Sequence, residues 1–208
     1  MGVWAERVVP RLTDAALGND DIGEMRAAAC LGLHGRVLEI GFGSGLNLPH
    51  VPPEVESVSA VEPSDVGWAL SRRRRAGSRV PVERTGLDGQ RIEAGDASYD
   101  AVLATFTLCT IPDVAAALAE VRRVLRPGGL FHFLEHGLAP DAAVVAWQHR
   151  LEPLQRRVFA GCHLTRDVPA LVADTGLEIT LLEQRYLPGP RIGRPWTYGY
   201  LGRAVRPG

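Results

Sequence analysis

The 208-residue sequence has no lysine; all 23 of its basic side chains are arginine. Schiff-base chemistry and a lysine general base are thereby excluded. Cysteine is scarce too. Cys30, Cys109 and Cys162 form an odd, widely spaced set with no C-x-x-C pair, which fits neither a disulfide framework nor a zinc site. No metal is expected, and a reducing, cytoplasmic setting is. A long apolar run is also missing. The opening MGVWAERVVPRLTDAAL carries Glu6, Arg7, Arg11 and Asp14, so neither a signal-peptide core nor a spanning helix is read there. Nor is there a dominant charge, because 24 acidic residues leave a formal net charge of −1. No field draws such a protein onto nucleic acid or anionic membrane, and the expected partner is an uncharged or small-molecule, partly hydrophobic acceptor. The one charge run, Arg72 to Arg75, lacks interleaved aromatics and reads as a solvated helix end. The sequence leaves the oligomeric state open.

What is present is a strand and helix rhythm in a chain whose 46% hydrophobic content suits one domain. An amphipathic stripe from Val3 to Leu17 predicts a helix lying over the domain as a cover, followed by a second from Asp20 to Leu31. Strands are expected at Arg36 to Ile40, Ser57 to Val61, Val80 to Glu83, Tyr99 to Ala104 and Leu130 to Leu134. Between them, Asp65 to Ala76 and Asp113 to Leu125 read as helices, and Arg126 to Gly129 reads as a turn. Two or three helical segments reach to about Thr175, and strands at Leu177 to Tyr186 and Thr197 to Val205 end the chain. The expectation is an α/β fold with a Rossmann-like, seven-stranded, mostly parallel sheet flanked by helices.

The strongest local signal is the strand that runs through Glu39 into Gly41, Gly43 and Gly45. Glycines there let backbone amides approach a ligand closely. The dinucleotide fingerprint needs its third glycine one place later, where Leu46 stands. Together with the absence of a Tyr-x-x-x-Lys pair, this weighs against a nicotinamide oxidoreductase. Glu39, just before the turn, would repel a pyrophosphate but suits the ammonium of an amino-acid moiety. Glu62, about twenty residues on at the end of strand two, stands where this fold puts an acid that accepts ribose hydroxyls.

The strings EIGFGSG, AVEPS and RRVLRPGG resemble the motifs of class I S-adenosylmethionine-dependent methyltransferases. The resemblance implies that Gly41, Gly43 and Gly45 line the methionine end, with Phe42 and Asn47 beside them, and that Glu62 and Pro63 hold the ribose. It places Leu87 or Asp88, through the amide of one or the carboxylate of the other, at the adenine, and Thr105 at the end of strand four. Residues 1–34 would be a helical cover, 35–136 the cofactor-binding core, and 137–208 the substrate-covering helices with the last two strands. A narrower resemblance rests on Thr107 to Thr110, Phe133 to His136, Trp147-Gln148, Gly161 to Arg166 and Tyr198 to Tyr200. These look like the methyltransferase-like seven group, whose animal members methylate alkyl thiols, and whose bacterial relatives are labelled as ubiquinone-type or phospholipid methyltransferases. Those animal members carry an apolar N-terminal anchor that is not read here, and His163 stands where they have asparagine.

A sulfonium cofactor brings its own leaving group, so the protein must align an acceptor lone pair and exclude water. An imidazole beside a thiol or phenol would add deprotonation. His136, directly after an apolar strand, is the first candidate catalytic residue, read against a strand-end cap; His163 is the second, read against a surface or capping role. His132, inside the strand, reads as core, and Cys109 and Cys162 as small packing residues. Trp147, Trp196, Tyr198 and Tyr200 read as core or pocket lining, and Arg166 as a partner for an anionic acceptor group or an ordinary helix start. The leading expectation is methyl transfer to a thiol. Alternatives are a phenol or quinol O-methyltransferase and a non-catalytic S-adenosylmethionine-binding module.

Overall fold

The computed structural model describes residues 4–187 and 189–208, so Val3 of the expected first helix lies outside the described residues. Seven strands run as β1 (Gly35–Ile40), β2 (Val55–Val61), β3 (Val82–Gly86), β4 (Tyr99–Thr105), β5 (Leu125–His136), β6 (Glu178–Tyr186) and β7 (Tyr198–Val205). They form one sheet in the order β3-β2-β1-β4-β5-β7-β6. All pairs from β3 to β5 are parallel, and only β7 runs against its neighbours. The chain winds outward from β1 to β3 and then returns to the other side of β1 as β4. In such sheets, ligands bind beyond the carboxyl ends of the strands at that reversal.

The side-chain alternation of the strands divides the core between the two faces of the sheet. Val102 and Ala104 of β4 join Leu38, Ile40, Phe131 and Phe133 on one face, while Ala101 and Leu103 join Val37, Val58 and Leu134 on the other. The first face is covered by α5 (Val114–Val124) and α7 (Val168–Asp174), the second by α2 (Asp20–Cys30). Side chains of Asn19, Asp113 and Asp167 accept from the third following amide and start these three helices. His132 is core, as its strand position predicts: its Nδ1 lies 2.8 Å from the Ala29 carbonyl, and burial pulls the imidazole down to about 4.

Several boundaries differ from the sequence reading. The N-terminal segment is a π-helical turn, Trp4–Val8, followed by α1 (Val9–Leu17), and α1 buries none of its residues. It is tied down by polar contacts instead, Asp14 accepting from Ser44 Oγ at 2.6 Å and from Arg74 at 3.0 Å. The single helix expected from Asp65 to Ala76 is two, α3 (Asp65–Leu70) and α4 (Arg72–Ala76), because the Ser71 hydroxyl turns back onto the Trp68 carbonyl at 2.7 Å. Its arginine run is only partly solvated, since Arg75 lies 3.8 Å over the Trp68 ring. β3 sits two residues later than expected, at Val82–Gly86. Arg126 to Gly129 is no free turn but an irregular stretch within β5, where the register to β4 slips while Gly128 donates to the Arg206 carbonyl at 2.8 Å. After β5 come α6 (Ala142–Val158), α7 and the short α8 (Arg194–Thr197).

Candidate active site

Beyond Ile40, the chain turns back on itself through Gly41, Gly43 and Gly45, at φ of +70°, +56° and +75°. The Gly41 amide donates to the Val61 carbonyl at 2.9 Å, which fastens the loop to the end of β2. Two of the glycines differ in what surrounds them. A Cβ on Gly41 would stand 1.7 Å from Thr107 Oγ1, so that position is closed by the protein. A Cβ on Gly43 would meet only the Gly41 carbonyl at 3.8 Å, so that position faces open space. Phe42 is buried beneath the loop against Trp68, ring centroids 5.5 Å apart.

A buried polar cluster underlies this loop. Asn47 Nδ2 donates to Glu39 Oε1 at 2.8 Å and to Thr105 Oγ1 at 2.9 Å, while one Arg26 nitrogen donates to Asn47 Oδ1 and Thr105 Oγ1, both at 2.8 Å. Burial pushes the Glu39 carboxyl up to about 7, against the opposing hydrogen bond of Asn47 and the charge of Arg26. Arg26 Nε is buried without a hydrogen-bond partner among the described residues. The sequence reading missed Arg26: a lone arginine on a helical stripe looks like a solvated side chain, and only the packing of α2 over the sheet brings it to the loop.

Glu62 stands where expected. Its Oε2 accepts from the Gly43 amide at 2.5 Å and its Oε1 from the Ser64 amide at 2.7 Å. Burial raises this carboxyl despite both bonds, and each oxygen keeps a lone pair for a further donor. Pro63 and Leu87 are exposed at the rim. Asp88 is exposed too, with Oδ1 accepting from the Gln90 amide and side chain, both at 2.9 Å.

The other wall is built by Glu135, fully buried at the end of β5 and also missed in the sequence. Its Oε1 accepts from the amides of Thr107 and Leu108 at 2.8 and 2.9 Å, holding the loop that leaves β4 through Phe106 at φ +52°. Oε2 has no partner among the described residues, and burial pushes the carboxyl up to about 7. From the other side, Glu152 on α6 gathers the segment after that helix, accepting from His163 Nδ1 at 2.8 Å, from Leu164 N at 3.2 Å and from Thr165 Oγ1. The His163 amide donates to the Cys109 carbonyl at 2.8 Å. Arg166 spends its guanidinium on the carbonyls of Leu108 and Ile111, so it pins this segment to the β4 loop rather than waiting for an anion.

These attachments bring Cys109, His136 and Cys162 together, their ligand-capable atoms all within 4.8 Å of one another. The His136 imidazole is half-buried, with Nε2 3.1 Å from Cys162 Sγ. Burial disfavours its charged form, but the bond to Cys162 more than offsets this and the imidazole lies above its ordinary value. Cys162 is lowered by hydrogen bonding from Cys109 and then from His136, while Cys109 is raised. Both cysteines are buried, as a packing role requires, and they also lie beside the imidazole. His136 ends β5 and reaches across to Cys162, and His163 turns its Nδ1 toward Glu152. Trp147 and Trp196 lie exposed, whereas Tyr198 and Tyr200 are core.

Residues 38–133 match the family model described as a methyltransferase domain. Thiol S-methyltransferase TMT1B of Rattus norvegicus is 32% identical over 180 residues, which cover 82% of this chain and 70% of that one. The chain belongs to the class I S-adenosylmethionine-dependent methyltransferases. The methyltransferase is also 27% identical over 147 residues to Phosphatidylethanolamine N-methyltransferase of Cereibacter sphaeroides, covering 70% of this chain and 71% of that one. Its fold superposes at a TM-score of 0.71, with 16% identity, on an N-methyltransferase of Haemonchus contortus in complex with phosphomonomethylethanolamine and S-adenosylhomocysteine, covering 99% of this chain and 60% of that one. The methyltransferase uses S-adenosylmethionine, which supplies an activated methyl on a sulfonium. The residues present fit that cofactor: open space at Gly43, the unpartnered Arg26 Nε for a carboxylate, and the buried Glu39 carboxyl for an ammonium. No helix among the described residues is long and apolar enough to cross a membrane.

Proposed function

We propose that this methyltransferase methylates the sulfur of a small, partly hydrophobic thiol. The observation that carries the reading is the 32% identity to a thiol S-methyltransferase over 82% of the chain. The acceptor side agrees with it: Cys109, His136 and Cys162 come together past the ends of β4 and β5, Glu152 is taken up by His163, Leu164 and Thr165, and Glu135 Oε1 by two backbone amides. A phenol or quinol acceptor is the competing reading. Competition between an alkyl thiol and a phenol for the same enzyme tests it, the thiol being expected to have the higher kcat/KM; a higher value for the phenol would reverse the assignment.

In this reading Glu39 and Arg26 take the ammonium and carboxylate of the methionine moiety. Gly41, Phe42, Gly43, Gly45, Asn47 and Thr105 shape that end, Glu62 and Pro63 take the ribose, and the Leu87-Asp88 turn flanks the adenine. Gln90 engages only Oδ1 of Asp88, so both the Leu87 amide and Oδ2 of Asp88 remain available to the adenine. Glu62→Ala should weaken S-adenosylhomocysteine binding about ten- to a hundredfold, since hydrogen bonds to a charged group are worth roughly 1.5–3 kcal/mol. Calorimetry on the folded variant checks this, and unchanged affinity would remove Glu62 from the site.

Glu39 gives the binding a pH dependence. Its carboxyl titrates at about 7 and must be ionised to hold an ammonium, so binding releases a proton below that pH. Affinity should therefore fall by up to about tenfold per unit as pH drops below 7, and level off above it. The charged groups facing Glu39 are Arg26, which favours ionisation, and Glu62, which opposes it. Glu39→Gln should flatten the profile; a wild-type-like slope in that variant would assign the titration elsewhere.

A further inference from the structure

Cys109, His136 and Cys162 form the one group of three or more histidine, cysteine or acidic side chains with metal-ligand spacing among the described residues. We propose that they bind a divalent metal ion, zinc(II) by the chemistry of the donors, with the fourth position open to the acceptor sulfur. The fourth-ligand part rests on the thiol reading above; the three protein ligands do not.

The geometry comes close without rearrangement of the fold. Tetrahedral zinc with Zn–S of about 2.3 Å and Zn–N of about 2.0 Å sets ligand atoms roughly 3.5–3.8 Å apart. His136 Nε2 and Cys162 Sγ are 3.1 Å apart and no pair in the cluster exceeds 4.8 Å, so side-chain adjustments of about 1 Å would seat the ion. The three ligands come from three separately anchored pieces of chain. Cys109 is on the loop that Glu135 holds by two amides, His136 ends β5, and Cys162 precedes the segment that Glu152 holds. Gln155 Nε2 donates to Cys162 Sγ at 3.4 Å, the kind of outer contact that orients a thiolate ligand.

The donor set decides the ion. Two thiolates and an imidazole are soft to borderline, which disfavours magnesium and calcium and suits zinc. Three protein ligands of this kind leave one position free, as in catalytic rather than structural zinc sites. The cluster lies past the carboxyl ends of β4 and β5, beside the reversal of strand order, where the acceptor must meet the methyl group. An acceptor thiol entering the fourth position would lose its proton to solvent. Its sulfur then attacks the methyl carbon, forming an S–C bond, while the C–S bond of the sulfonium breaks and its electron pair stays on the sulfur of S-adenosylhomocysteine. The product thioether carries no charge and is a poor ligand, so it departs.

Cobalt(II) is the probe. Titrated into metal-free, reduced wild-type protein, it should give one equivalent of a tetrahedral site with a thiolate-to-cobalt charge-transfer band, displaced by zinc(II). Cys162→Ser and His136→Gln should each weaken cobalt binding tenfold or more and alter the band, while Cys30→Ala, away from the cluster, should not; circular dichroism establishes that each variant is folded. An alkyl thiol added to the cobalt protein should intensify the charge-transfer band. Absence of the band, or its persistence in both cluster variants, would overturn the site. Cobalt binding with no response to thiols would overturn the fourth-ligand assignment and count against the thiol reading. Full thiol methylation by protein stripped of metal would leave the thiol reading standing and overturn the metal.

Discussion

Gly43→Val is expected to abolish detectable binding of S-adenosylmethionine and S-adenosylhomocysteine while the protein remains folded. The backbone at Gly43 has φ of +56°, a conformation that costs a residue with a Cβ roughly 1–2 kcal/mol and a β-branched one more. That strain is within the stability margin of an ordinary domain. The space a side chain would enter holds no protein atom nearer than 3.8 Å, so valine blocks the ligand rather than the core. Gly41→Ala offers the contrast, because its Cβ would collide with Thr107 Oγ1 and disturb the loop itself. Equilibrium dialysis of the folded Gly43→Val protein decides the matter, and wild-type affinity would reduce the glycine loop to a structural turn.

The second large effect is on turnover. His136→Ala should lower it by about ten- to a thousandfold with S-adenosylhomocysteine affinity unchanged, the general-base range of roughly 10²–10⁴ serving as the upper guide. A thiol with pKa of about 8–10 is mostly protonated at neutral pH, and His136, whose Nε2 lies 3.1 Å from Cys162 Sγ, promotes its ionisation either by taking the proton directly or, where the metal proposed above is bound through Nε2, by holding that ion. Raising the pH should recover part of the rate, because the acceptor then ionises without help. His163→Ala should behave differently. Its imidazole is bonded to Glu152, so its loss should loosen the covering segment and mainly raise the acceptor KM. Wild-type rates in both variants over about pH 6–9 would mean that the enzyme works by alignment and desolvation alone.

The sheet was legible because its strands are short apolar runs separated by glycine and by caps such as Asp113, and the order of strands and helices admits few topologies. The glycine loop was legible because its residues are adjacent in the chain and their spacing carries the chemistry. What the sequence concealed are contacts between distant residues. Arg26 meets Asn47 only through the packing of α2, and Glu135 reads as the polar end of a strand until its carboxylate is found under the amides of Thr107 and Leu108. Cys109 and Cys162 read as packing residues because methyl transfer needs no covalent enzyme intermediate and their spacing matches no local metal motif, but spacing says nothing of residues joined through β4, β5 and the segment after α6. The arginine run does stand at a helix end, as read, but the helix is a second short one that begins after the break at Ser71.

The most direct test of the central claim is methyl transfer itself, with purified protein, S-adenosylmethionine labelled at the methyl group, and a panel of alkyl thiols, aryl thiols, phenols, catechols and quinols, the products identified by mass. The account predicts labelled methyl thioethers formed in step with S-adenosylhomocysteine, dependent on Glu62 and His136. Labelled methyl ethers with thiols left unmodified, from protein that binds the cofactor normally, would contradict it.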